Sequence, residues 1–578
     1  MCWQKAFISG MLKRMKTPET NWEEYRRRLE ELDLKAVTDE GSRRAILLVL
    51  NLVEELKLEN RHLREENQGL REEIERLKGG RGQPPLPPNP LPSGSTTASH
   101  SSEKERRQPK PRHKRSKLEQ IEVSREEVLR VDPAQLPPDA EFKGYETTVV
   151  QDVKIEIDNV RFLKEKYYSR AEGKTYLAPL PAGYQGTYGP GVKALALVFY
   201  YASNMSQPKI VDWFAHIGIQ LSAGELSQWL SRASEPFQRE KAAVYEAGLR
   251  SSPWQHLDET GTRVNGQNQQ CHIVCNPLYT AYFTTEKKER LSIVDVLRGL
   301  RPRTFRFNEQ ADEWLQQAGL SPALRGCLRS LPPDQDLSEA EVSGWLEQYR
   351  PALGQPQRHQ ILQAGAIAAY QAEVGFPVVR LLLCDDASQF KGVTEQRALC
   401  WIHEGRHYKQ LEPLLPYHQE LLDGFLQRYW GLYGKLLHYR SQPIAVEAGR
   451  LAEQFDELFS TVTGYQALDH RIALTQAKKE ALLQVLTHPE IPLHNNPAEL
   501  GARLRVRKRD VSFGPRTPAG KQAWDTFHTL VSTTKKLGVS FYQYVQDRVT
   551  GANRVPSLAE LIKEKAQALN LGASWDSS

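Results

Sequence analysis

The chain has 578 residues, enough for about three to five structural units, and its 39% hydrophobic and 26% charged content fits a globular protein with some solvated stretches. No run of about 18 apolar residues occurs, which excludes a membrane-spanning helix, and six scattered cysteines suit a reducing compartment better than a disulfide scaffold. A net charge of +6 permits a polyanionic partner without requiring one.

Residues 1–41 read as an N-terminal helical segment. Their start, MCWQKAFISGMLKRMK, lacks the apolar stretch and cleavage site of a signal peptide. Residues 42–79 carry a heptad pattern. Val49, Leu56, Leu63, Leu70 and Leu77 recur every seven residues, and Ile46, Val53, Asn60, Asn67 and Ile74 form a second series three positions earlier. These are the d and a positions of a leucine-zipper coiled coil, which predicts a parallel homodimer or higher oligomer. The alternative is one amphipathic helix packed on its own chain. Gly79 and Gly80 end the helix, and residues 80–117, rich in Pro, Ser and basic groups, cannot build a core. They form either a charged linker or a strip that follows DNA phosphates.

Within residues 118–190, the alternation of Val153, Ile155 and Ile157 between Phe142 and Tyr168 predicts one or two strands. Residues 191–250 read as helical. Gln207 to Ile217 forms one helix, Gly218 breaks it, and Ser222 with Glu225 three positions on starts another. Helix, short turn, helix is the arrangement of a helix-turn-helix DNA-binding unit, and also of many plain helical hairpins.

Residues 251–304 turn to β character: WQHLDET, QQCHIVCN and LYTAYFTT predict three strands, with a helix from about Leu291. Residues 305–376 read as a helical insertion, 377–409 as a second β-containing part opened by VVRLLLCDD, and 410–490 as a second helical insertion. Residues 491–550 hold the loop HNNP, a helix from about Ala498 and a long helix from about Lys521 to Leu537. Residues 551–578 form a last helix and a tail.

Asp258 lies at or just past the end of a short strand, Asp385 ends a strongly apolar one, and Glu499 sits where a helix begins. Three carboxylates on separate elements can converge on Mg²⁺ or Mn²⁺, hard cations that prefer oxygen ligands. Two such ions about 4 Å apart can activate a nucleophile and stabilise the leaving oxygen of a phosphodiester. Strand-end aspartates are also common structural caps, so the trio carries little weight on chemistry alone.

The local words add to it. HLDETGTRV around Asp258, LLLCDDASQF around Asp385, ALCWIHEGRHYKQL with Cys400, Trp401, His403 and Arg406, IPLHNNPAELGARLRVRKRDVSFGPRTPAG around Glu499, and TFHTLVSTTKKLGVSFYQYV follow one another in order. From about Val149 to Val549 the chain resembles the transposases of the insertion sequence 66 family. That resemblance implies an α/β ribonuclease-H-like core with helical insertions, Asp258, Asp385 and Glu499 as catalytic metal ligands, and two Mg²⁺ or Mn²⁺ ions per site with no other bound cofactor. The implied reaction is cleavage at transposon ends followed by strand transfer into target DNA. The implied partners are terminal inverted repeats, target DNA and accessory transposition proteins, in a bacterial cytoplasm and nucleoid. The alternative is a catalytically inactive, sequence-specific DNA-binding regulator derived from a transposase.

Two departures from the family pattern bear on the site. The Cys/His zinc module that often precedes the helix-turn-helix is missing, so no zinc is expected. Asp386 stands where the family has Gly; Asp385 is the preferred ligand because the apolar strand runs into it and the spacing to Phe390 fits, with Asp386 as the other choice. Arg503, Arg505, Arg507, Lys508 and Arg509 are expected to hold DNA phosphates or to form a solvated helix face. Cys400, His403 and Arg406 are expected to order the loop beside the ligands or touch DNA. Cys271, His272 and Cys275 are expected to face a sheet core.

Overall fold

The computed structural model describes residues 37–77, 121–184, 186–231, 235–413 and 415–575. The expectations for residues 1–36 and for the linker therefore lie outside the described residues. In chain order come α1 (Glu40–Leu77), the hairpin β1 (Lys166–Ser169) and β2 (Lys174–Leu177), then α2 (Pro190–Leu197), α3 (Gln207–His216), α4 (Ala223–Ser231) and α5 (Glu235–Arg250). The central strands are β3 (Trp254–Val264), β4 (Gln267–Cys275) and β5 (Thr280–Thr285), followed by α6 (Arg290–Leu297). The first insertion holds β6 (Thr304–Phe305), α7 (Glu309–Gln317), α8 (Pro322–Leu328), β7 (Leu337–Ser338), α9 (Glu339–Tyr349) and α10 (Gln355–Gln371). The sheet resumes with β8 (Leu381–Cys384) and β9 (Gln396–Leu399). After α11 (Trp401–Lys409) comes the second insertion: α12 (Pro416–Ser441), α13 (Ala445–Phe459), α14 (Gln466–Gln476), α15 (Lys479–Leu482) and α16 (Gln484–Thr487). Four helices close the chain: α17 (Asn496–Ser512), α18 (Pro518–Leu537), α19 (Phe541–Thr550) and α20 (Leu558–Leu569).

One five-stranded sheet organises the whole, in the order β5-β4-β3-β8-β9. The β3–β4–β5 meander is antiparallel, while β8 pairs parallel with β3 and β9 parallel with β8. Side chains alternate between faces along a strand. One face carries His256 and Asp258 of β3 beside Cys271, Ile273 and Cys275 of β4. Ala498 and Ala502 of α17 pack there with Ile273 and Tyr282. The other face carries Leu257, Val274 and Phe283, joined in a large core with Val244, Ile293 and Ile367 from α5, α6 and α10. The second insertion packs Tyr429, Tyr433 and Phe455 around Trp401 of α11 in an aromatic cluster that continues into Leu381 and Leu383 of β8.

Small residues let α17 approach the sheet closely. A Cβ at Gly501 would lie 2.8 Å from Ile273 Cγ2 and 3.2 Å from the Tyr282 hydroxyl.

The structure corrects the strand expectation upstream. Among the described residues, no strand forms between Phe142 and Glu165, and Val153 and Ile155 are exposed. Alternation alone stabilises nothing without a partner strand and a core to face. The strands that form are the short β1–β2 hairpin just beyond.

The heptad helix is present, but its base docks on its own chain. Leu50 packs with Leu415, and Glu54, buried, pairs with buried His418 at 3.2 Å. Asn51 donates to Gly464 O and accepts from Gln466 N. Those contacts use the Ile46–Leu50–Glu54 stripe, leaving Val49, Leu56, Leu63 and Leu70 exposed.

Replacing Gly501 by Ala should push α17 off β4 and lower stability by about 1–3 kcal/mol, the cost of inserting a methyl into a filled core. A fall in the thermal midpoint with native helical content retained below it is the expected readout; an unchanged midpoint would mean that α17 is not seated this tightly.

Candidate active site

The parallel pairing of β3 with β8 sets His256 opposite Leu383. Two residues further along each chain stand Asp258 and Asp385: Asp385 just past the end of β8, and Asp258 inside β3, which runs on to Val264, a correction to its expected place at a strand end. The charge of Asp385 acts on Asp258. The sheet face that carries Asp258 is the one α17 covers, with Glu499 in its first turn. The three expected carboxylates therefore come to one place.

Asn495, fully buried, holds that arrangement. Its side-chain amide donates to Leu257 O at 2.8 Å, and its Oδ1 accepts from His256 Nδ1 at 3.0 Å. Its backbone N–H donates to Cys400 Sγ at 3.2 Å. One residue thus ties β3, the start of α11 and the start of α17 together. Burial pushes the His256 pKa down to about 3, so the ring is neutral and Nδ1 serves as the donor. Cys400 is likewise a buried neutral thiol, its pKa pushed up to about 11 by burial. The next residue, Trp401, anchors α11: its Nε1 donates to Leu482 O at 2.8 Å and its carbonyl accepts from Tyr429 at 2.8 Å.

That helix presents His403 and Arg406 to Glu499. His403 Nδ1 lies 3.5 Å from Glu499 Oε1, Arg406 Nη2 lies 3.4 Å from Oε2, and Arg406 Nη1 contacts His403 Nε2 at 3.0 Å. Burial lowers the His403 pKa, and Arg406 adds to this against the pull of Glu499 and Asp385. Cys400, His403 and Glu499 also offer ligand atoms within 4.8 Å of one another. The thiol already accepts the Asn495 bond, which fits a positioning role.

Burial, then the charges of Asp385, Glu499 and Glu259, push the Asp258 pKa up to about 7, against a hydrogen bond from Glu259 N. Like charges crowded in a partly dry site are relieved by a proton or by a cation. Glu499 Oε1, buried, meets no hydrogen-bond donor. An all-oxygen donor set with an orphaned oxygen fits a hard divalent ion such as Mg²⁺.

Asp386 lies apart. It pairs with Lys478 at 2.9 Å and Arg397 at 3.1 Å, and these contacts lower its pKa against the effect of burial. Lys478 in turn reaches Glu404, a buried carboxylate that also takes Arg471 and the Thr475 hydroxyl. Asp386 thereby fastens the β8 end to the second insertion, and of the two adjacent aspartates it is Asp385 that acts on Asp258.

The basic run after Glu499 divides by helical phase. Arg505 and Lys508 are fully buried, a correction to their expected contact with phosphates. Arg505 bonds Asp525 at 2.8 Å and Thr284 at 2.7 Å; Lys508 lies over the Tyr200 ring and donates to Met205 O. Burial pushes the Lys508 pKa down to about 7. Arg509 is turned toward the end of β3, donating to Gly261 O at 2.5 Å. Arg503 and Arg507 are exposed, four and eight positions after Glu499 and so on its side of the helix. Cys271, His272 and Cys275 are buried in the sheet as expected.

Two residues escaped the sequence reading. Asn495 sits in HNNP, where an Asn before a helix-starting Pro passes for an ordinary loop. Glu259, with 5% of its side chain exposed, follows Asp258, binds Lys288 at 2.6 Å and Gln389, and faces His272.

Residues 185–314 match the model described as Transposase IS66 family. An uncharacterized protein, y4jO of Sinorhizobium fredii, is 30% identical over 324 residues, covering 56% of this chain and all of that protein. The chain belongs to the IS66 family of transposases. No solved structure matches it. Membership makes DNA the polymer on which a transposase of this family acts, and among the described residues no helix is long and apolar enough to cross a membrane.

Because the folded chain holds the Asp258 proton more tightly than the unfolded chain, the metal-free protein should lose stability as pH rises from about 4 to about 7. Asp258→Asn removes that penalty. In EDTA it should melt above the wild type at pH 8, by no more than about 4 kcal/mol of stability, with the gain fading toward pH 4. An equal gain at both pH values would contradict the raised pKa.

Arg503→Gln and Arg507→Gln should each reduce the slope of log binding constant against log salt by about one, while Arg505→Gln should instead lower the melting temperature. Salt titrations of DNA binding beside thermal melts separate the two effects.

Proposed function

We propose that this IS66-family chain is an active transposase that cleaves DNA at the ends of its element and joins those ends to target DNA. The observation that carries this reading is the convergence of Asp258 within β3, Asp385 just past β8 and Glu499 in the first turn of α17, near enough for the charges of the last two to act on the first. Supporting it is the strand order, a three-stranded antiparallel meander extended by two parallel strands. That order suits a ribonuclease-H-like core.

Asp258, Asp385 and Glu499 would hold Mg²⁺ or Mn²⁺, two ions in the reading favoured here, and these would supply Lewis-acid stabilisation of charge at the scissile phosphate. The chain's own residues prepare the ground. Asp258 must lose its proton, and a pKa near 7 leaves it half ionised at neutral pH before a cation arrives. Arg406 donates to Glu499 Oε2 and contacts His403, leaving Oε1 free for a cation. Arg503 and Arg507 would take phosphates flanking the cut, fixing the DNA's register without reading its sequence.

Recognition of the ends would fall to α3 and α4. Gly218 makes their turn at φ +87°, and Ser222 Oγ caps α4 at Glu225 N. Ala223, Gly224 and Gln228 stay exposed on α4. Pairing of two chains through the exposed Val49–Leu56–Leu63–Leu70 stripe of α1 would bring two element ends together.

The test is cleavage of a labelled duplex carrying the element's own ends, in Mg²⁺, Mn²⁺ or EDTA. Metal-dependent nicking at the end should occur with wild type and Asp386→Asn, the latter at reduced thermal stability. It should fall by orders of magnitude in Asp258→Asn, Asp385→Asn and Glu499→Gln. Tight binding of the ends with no cleavage in any metal would favour the DNA-binding regulator instead.

A further inference from the structure

A cavity of about 680 Å³ opens at the β5 edge of the sheet, between α5, the end of α6 and the start of α18. It lies two strands from β3, away from the three carboxylates. Three aromatic residues are among its lining: Phe283 and Tyr245, both buried, meet edge to face at 4.7 Å, and Phe376 is half-buried.

Four cations line it: Lys241, Arg298, Arg301 and Lys521. Arg301 lies 4.0 Å over the Phe376 ring and Lys241 4.2 Å over Phe283. Arg298 and Arg301 share the single carboxylate of Glu373. Arg298 is 4% exposed, yet its Nε and Nη1 have no hydrogen-bond partner. Lys241 and Lys521 make no ion pair among the described residues. Burial lowers the Lys241 pKa against the pull of Asp525, as expected for an amine that has lost water without gaining a counter-ion.

The two acids of the lining are already engaged. Asp525 accepts from Thr284 N, Thr284 Oγ1 and Arg505, and Glu246 pairs with Arg250 at 2.9 Å. The first turn of α18, capped by Thr517, also reaches the cavity through Pro518 and adds the positive end of a helix. What remains open is therefore cationic and donor-rich beside the half-buried Phe376. Arginine and lysine answer phosphate oxygens, that ring and the Arg301 guanidinium answer the face of a planar base, and the volume falls in the usual range for small-ligand pockets.

We propose that this cavity binds one nucleotide, with its base against the half-buried Phe376 and the Arg301 guanidinium stacked on it and its phosphate held by Lys241, Arg298 and Lys521. The same chemistry is offered by a free nucleoside monophosphate and by a nucleotide unstacked from DNA. The site does not depend on the carboxylate reading, since binding needs no catalysis.

Calorimetric titration of the full chain in EDTA tests it, with 2′-deoxyadenosine 5′-monophosphate, inorganic phosphate, and a duplex containing a one-nucleotide gap opposite an unpaired adenine. Lys241→Gln and Lys521→Gln serve as variants, each checked by thermal melting; both positions are partly open, so folding should survive. Saturable binding of the monophosphate, weakened about tenfold in each variant, is expected if the source is free nucleotide. A gapped duplex that binds more tightly than the same duplex without the gap, titrated beside it, with the excess lost in the variants, is expected if the source is DNA. Inorganic phosphate binding as well as the nucleotide would overturn the base subsite, and binding of every probe unchanged by both substitutions would overturn the proposal.

Discussion

The arrangement of the site depends on one buried amide. Asn495 bonds Leu257 O and His256 on β3 and offers its own N–H to Cys400. The residue has no exposed surface, so these bonds are made away from bulk solvent. An apolar side chain there would strand a buried carbonyl and a buried imidazole, each costing about 1–3 kcal/mol. It would also free the start of α17, and with it Glu499, from the strand that carries Asp258. The carboxylates belong to segments far apart in sequence, and this clasp makes them a single site.

Around the clasp the charges are sorted by role. Asp386, Glu404 and Asp525 are neutralised by Lys478, Arg471 and Arg505 within the fold. They hold the second insertion and α18 against the sheet. Asp258 is left with carboxylates for neighbours and a pKa near 7. Adjacent residues, Asp385 and Asp386, thus fall on opposite sides of this division: one faces the acidic cluster, while the other is spent on packing.

Much of this could be read from residue order. The three central strands, the apolar strand ending in Asp385, both helical insertions and the helix of Glu499 follow from period and capping signals that survive in the folded chain. What could not be read was set by tertiary partners. Val153, Ile155 and Ile157 alternate as a strand does, but no strand pairs with them. The heptad stripe of α1 was legible, whereas the contact of Glu54 with His418 joins residues more than 350 positions apart. Arg505 and Lys508 look like their exposed neighbours Arg503 and Arg507; only the phase of α17 against the sheet separates buried from solvated. The aromatic and cationic cavity draws on α5, β5, α6 and α18, and no local pattern announces it.

The central claim is that Asp258, Asp385 and Glu499 form one site for divalent cations. Mn²⁺ binding followed by electron paramagnetic resonance tests it without requiring DNA or turnover. Wild type and Asp386→Asn should deplete the free-Mn²⁺ signal with similar affinity, more strongly at pH 8 than at pH 6 as Asp258 ionises. Asp258→Asn, Asp385→Asn and Glu499→Gln should each weaken that binding by at least about tenfold. Equal Mn²⁺ affinity in the wild type and the three carboxylate variants would contradict the account.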